Sequence, residues 1–197
     1  MKDDPVQHSA RLREDEYFQK VEAERQKIMS REAARQVAEH LLAEASGIAD
    51  LDLLSELQAL GYTHRTAALL TVVPLVQVAW QSGWVRPRER ELILAAAHDQ
   101  GVTGVSFAYR RLMSWMDNRP PEQFFQKTLE LIHRWLGSLP EEDQQARKRQ
   151  LLSRCLQIAS ASGGVLGFGS KISRAEWRVL QELAAQLDYP LEARASG

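Results

Sequence analysis

The chain has 197 residues, 44% hydrophobic and 26% charged, which is enough length and apolar content to bury a core and too much for wholesale disorder. Lysine plus arginine number 25 against 26 aspartates plus glutamates, so no net field draws nucleic acid or an anionic membrane, and nucleic acid is not an expected partner. The single cysteine, Cys155, excludes an intramolecular disulfide and, set among Leu151, Leu152, Leu156 and Ile158, reads as a buried thiol.

The segment Met1 to Pro5 is polar and leads into charge, unlike a secretory signal with its apolar stretch. From Ser9 to about Leu42 the sequence lacks Gly and Pro and carries a thin apolar row, Leu12, Phe18, Val21, Ile28, Val37 and Leu41. That pattern predicts a long charged helix, with Glu16–Lys20 and Glu24–Lys27 spaced for pairing on one face. Gly47 ends it, and Leu51, Leu54, Leu57 and Leu60 predict a second, short helix closed by Gly61. The longest apolar stretch, Thr66 to Trp80, is shorter than the ~20 residues of a bilayer span and contains Pro74 and Gln77. It reads as a buried helix capped by Thr63, bent at Pro74 and ending near Gly83. No membrane span is expected, and the cytoplasm is the expected location.

Pro87 suits the first position of the next helix, which carries Leu92, Ile93 and Ala96 and stops at Gly101. Phe107 to Met116 predicts a helix ending before Pro120, and Phe124 to Leu136 another ending at Gly137. Pro140 and Glu141 open a long helix through Ile158, and after a Gly-rich link Ser173 starts the last, with Trp177, Leu180, Leu183 and Leu187. No strand alternation occurs, so the fold class is all-α, a multi-helix array. The expected organisation is a charged N-terminal arm over residues 1–46, a helical domain over 47–190 and a tail over 191–197.

An internal similarity runs through the array. Val76 to Gly83 aligns with Leu156 to Gly163, after which Val85 corresponds to Ile172, Glu89 to Glu176 and Ile93 to Leu180. Each copy reads as helix, Gly turn, helix. Ser173 with Glu176 forms a capping box, whereas Arg86 is a poor cap partly compensated by Pro87.

A helix of small and apolar residues, a Gly, a β-branched residue and a Glu opening the next helix resemble the tellurite-resistance TerB-like family. The resemblance covers roughly Thr63 to Gly101 and Leu151 to Leu187. It implies an all-helical fold tied to chemical stress, with acidic residues at the turn associated with metal ions. The family's turn Asp is replaced by Ser82 and Ser162 here, leaving Glu89 and Glu176 as the metal-associated candidates. One Glu per turn is few oxygens for a hard divalent cation, and both positions suit the positive end of a helix.

No catalytic site is legible. Gly164 to Lys171 has Ser170 and Lys171 in the wrong order for a phosphate loop and no preceding strand. His8, His40, His64, His98 and His133 are scattered without zinc-ligand spacing. The basic clusters Arg86, Arg88, Arg90 and Arg147, Lys148, Arg149 read as solvated faces. The expectation is therefore a non-enzymatic, cofactor-free scaffold of TerB-like type whose N-terminal helix docks on another protein or self-associates. Tyr17, Phe18, Val21, Trp84 and Phe168 are the candidate contact residues. The alternative is a metal-responsive stress protein binding divalent ions at its acidic turns.

Overall fold

The computed structural model describes the backbone of residues 5–161 and 172–191, and side chains from residue 17 onward within those ranges. Among the described residues there are eight α-helices and no strand, as the periodicity predicts. The Gly-rich link, including Gly163, Phe168 and Lys171, lies outside the described residues, as do residues 192–197. The chain divides into two units, one ending at His40 and one beginning at Leu41.

The first unit is the greater part of helix α1, Pro5–Ser46. Every described side chain from Tyr17 to Ala38 is exposed. Arg35 bridges Glu32 at 2.7 Å and Glu39 at 3.6 Å, and Lys27 reaches Glu24 at 3.9 Å. Such exposed pairs add a few tenths of a kcal/mol each. No helix among the described residues is long and apolar enough to cross a membrane.

The second unit begins within the last turns of α1, where Leu42 is fully buried. Helix α2, Leu51–Ala59, starts at Asp50, whose Oδ1 accepts from the Asp52 and Leu53 N–H groups, and it buries Leu53, Leu54 and Leu57. The apolar stretch that follows is not the single long helix expected. Thr63 caps no α-helix; its N–H donates to Thr66 Oγ1 at 3.0 Å in a local turn. A 3-10 turn occupies Ala67–Leu69, and helix α3 is confined to Val73–Ala79. Pro74 lies in the first turn of α3, where its missing N–H has no helical partner to lose, so it starts this helix rather than bending one.

A 3-10 turn, Trp80–Ser82, leads to Gly83 at φ 88°, a left-handed conformation that glycine adopts without a Cβ clash. Helix α4, Pro87–Asp99, α5, Phe107–Asp117, and α6, Glu122–Gly137, follow close to their predicted bounds. So do α7, Glu141–Ala161, and α8, Arg174–Gln186. Helix α7 packs against α3, α4, α6 and α8, and α3 packs against α6, α7 and α8. The core runs continuously through these elements, with Phe125, Leu129 and Ile132 of α6 among its most enclosed side chains. An aromatic group lies beside it, Tyr62 stacking on Phe124 at 6.1 Å and Trp115 tilting onto Phe124 at 5.2 Å.

Candidate functional site

Two features of the chain invite a functional reading, one in each unit. In the second unit, the sequence places Glu89 and Glu176 at the third position of α4 and α8, where a carboxylate can reach back to the residue preceding the helix. Glu89 Oε2 accepts from the Arg86 N–H at 2.7 Å, and Glu176 Oε2 accepts from the Ser173 N–H at 2.8 Å. At α8 the exchange is mutual, since Ser173 Oγ accepts from the Glu176 N–H at 3.2 Å. At α4 the Arg86 side chain has no acceptor to offer, and only the glutamate half of the box forms.

Both glutamates are buried, at 0% and 2% exposure, which is uncommon for a charged residue without a full set of partners. Glu89 Oε1 has no hydrogen-bond partner. Burial is the main cause that raises the Glu89 carboxyl above the ordinary carboxylate range. The Arg86 N–H and the Arg86 charge oppose it, and the nearby Glu176 carboxylate adds a smaller upward push.

These two carboxyls do not fit a divalent cation. Each spends one oxygen on a backbone N–H, and no group of three His, Cys, Asp or Glu that could hold an ion occurs among the described residues. A hard cation takes about six to eight oxygens. What the pair does is hold two helix starts in the interior.

In the first unit, Tyr17, Phe18 and Val21 are 65%, 66% and 38% exposed. Ile28, Met29 and Val37 extend the apolar set along the same helix, and all three are exposed as well. At 3.6 residues per turn, Tyr17, Val21 and Ile28 fall within about 40° of arc, with Phe18 and Met29 together on one flank. Ile28 and Met29 are absent from the contact residues expected on this helix, although the spacing from Val21 to Ile28, two full turns, signals the continuation. The other candidates are apart from this row. Trp84, just past the Gly83 turn, is exposed, and Phe168 lies outside the described residues.

The basic clusters are less free than their composition suggests. Lys148 is buried, the Arg147 guanidinium lies 5.4 Å from the Trp135 ring centre, and Arg149 Nε donates to Tyr189 Oη at 3.2 Å. Arg90 bridges Asp117 at 2.7 Å. Lys148 alone of these cations is buried, while Arg88, Arg147 and Arg149 stay exposed, Arg88 pairing with Glu91 at 2.9 Å. Cys155 is fully buried, and burial pushes its thiol up to about 12.

Comparison of the chain with protein-family models, with curated proteins and with solved structures returns no match.

Proposed function

We propose that this protein is a non-enzymatic helical interaction protein whose first helix engages another protein chain. The observation that carries the reading is the row Tyr17, Val21 and Ile28, flanked by Phe18 and Met29, exposed on α1. Isolated exposed apolar side chains are ordinary, whereas five on adjoining faces of one helix form the kind of surface that partners cover. Absence of a reactive thiol supports the non-enzymatic part, since a thiol with its proton held up to about 12 supplies no thiolate.

The body is proposed to be a TerB-like pair of helix–turn–helix elbows, α3 with α4 and α7 with α8. Equivalent positions share the same burial: Glu89 and Glu176, Ile93 and Leu180, Ala96 and Leu183, Ala97 and Ala184 are all buried. Val85 is buried, and Ile172, its counterpart in the sequence alignment, is half-buried. The contacts are also reciprocal, with α4 packed on α7 and α8 packed on α3. This arrangement makes the body a rigid support and leaves recognition to the exposed helix.

The test compares the full chain with its Val21→Asp, Ile28→Asp double variant. Both residues are exposed, so the melting temperature of the body should not change. A protein chain that co-purifies with the wild type should be lost from the variant. Equal recovery from both would remove α1 from the interaction.

A further inference from the structure

In the second unit, residues of α6 and α7 line a cleft of about 70 Å³, which is room for about five waters or one small molecule. Helical spacing assembles it from both sides. Ile132, Trp135 and Leu136, three and four residues apart on α6, bring apolar surface, and Arg147, Leu151 and Arg154, four and three apart on α7, bring two cations around a leucine. Thr71 and Gln100 add neutral polar groups. All of these residues belong to the second unit, so nothing here rests on the interaction of α1.

The polar lining is unbalanced toward donors. Two guanidiniums and an indole N–H can only donate, and no aspartate or glutamate lines the cleft. Arg154 gives Nη1 to the Ala96 carbonyl at 3.1 Å and Nη2 to Asp99 Oδ2 at 2.9 Å, so its charge is already offset. Arg147 is in another position. Its guanidinium lies 5.4 Å from the Trp135 ring centre, the residue is exposed, and among the described residues it pairs with no carboxylate. Trp135 itself is 7% exposed, and its Nε1 has no hydrogen-bond partner. A buried donor without an acceptor is uncommon, and it favours an occupant that carries acceptor oxygens.

We infer that the cleft binds a short aliphatic carboxylate, its chain against Ile132, Leu136 and Leu151 and its oxygens accepting from the Arg147 guanidinium. A planar guanidinium matches a carboxylate with two parallel hydrogen bonds. A cation would meet two positive charges and no negative one. An inorganic anion would satisfy Arg147 and leave the aliphatic side chains uncovered, whereas an acid of roughly four carbons fills the volume and covers them.

Titration of the full chain with butyrate, followed in the proton–nitrogen correlation spectrum, tests the site. Of the five tryptophan indole signals, that of Trp135, identified by its absence in Trp135→Phe, should move most and saturate. If Trp135→Phe does not fold, Arg147→Gln identifies the same signal, because the guanidinium lies on that ring. A ligand of about six non-hydrogen atoms supports a dissociation constant on the order of 1 mM. Butyramide, similar in shape and uncharged, should bind roughly tenfold more weakly, as should inorganic phosphate, which has charge and no apolar body. Arg147→Gln should weaken butyrate by a similar factor with the dichroism spectrum unchanged. Arg149→Gln, whose guanidinium is engaged with Tyr189, should bind butyrate as the wild type does. Absence of a saturable Trp135 shift up to tens of millimolar butyrate would overturn the proposal, and equal binding of butyramide would too. Phosphate binding more tightly than butyrate would make this an inorganic-anion site and remove the carboxylate assignment. Equal loss in Arg147→Gln and Arg149→Gln would mean diffuse attraction to α7 in place of a site.

Discussion

Glu89 shows how a single residue can be structurally required and electrostatically uncomfortable. Its Oε2 serves the Arg86 N–H, a helix N-terminus favours its charge, and yet burial keeps its carboxyl above the ordinary range. A group whose folded pKa is raised contributes stability that is fully present below the ordinary carboxylate range and lost as pH rises through the raised value. Glu89→Gln has nearly the same shape and carries no charge at any pH, so it should be spared this loss. The melting temperature of Glu89→Gln minus that of the wild type should therefore increase between pH 4 and pH 7.5. A difference that falls with pH would mean that the ionised carboxylate is favoured by folding, contrary to the burial argument. At Glu176 the neighbouring Ser173 hydroxyl completes the box, a feature that the Ser-x-x-Glu spacing makes readable from sequence. The burial of both glutamates was not readable, because charge is ordinarily a surface signal and only tertiary packing reverses it.

At the scale of the element, most helix bounds were legible because glycines and caps mark them locally. Gly47, Gly61, Gly83 and Gly101 all take positive φ, and each lies just past the last turn of a helix or of its 3-10 extension. The stretch from Thr63 to Gly83 departs from the single helix its sequence predicts, and the cause is physical. Residues from Val72 to Ala79 are buried all round, so no amphipathic period was available to place the helix start. Without that period Pro74 predicts an interior kink, whereas it sits in a first turn, where its missing donor is harmless. The Gly83 turn carries a prediction of its own. A Cβ added at Gly83 would meet nothing within 4 Å, so Gly83→Ala should introduce no clash with the surroundings and only the cost of the left-handed backbone. That cost is about 1–2 kcal/mol, visible as a lower denaturation midpoint with an unchanged slope. A neutral substitution would show that the turn relaxes to negative φ and that its geometry is not fixed by the elbow.

For the molecule as a whole, the proposed elbows matter only if they share one interior, and the reciprocal packing of α4 on α7 and α8 on α3 says that they do. Each elbow then lacks a core of its own. Ile93 and Leu180 occupy equivalent places, one in each second helix, and both are fully buried. Truncating either to Ala should cost about 2–5 kcal/mol, the transfer of the lost methyl groups plus the cavity left behind. Because the interior is common, both variants should weaken the same event. Far-ultraviolet dichroism, which follows all the helices, and tryptophan fluorescence, which follows Trp80 and Trp115 near the first elbow and Trp177 in the second, should report one coincident transition, shifted down in either variant. If Ile93→Ala instead separated an early transition of α3 and α4 from a later one of α7 and α8, the elbows would be independent modules, and the burial of Glu89 would need another explanation than a core closed by both halves.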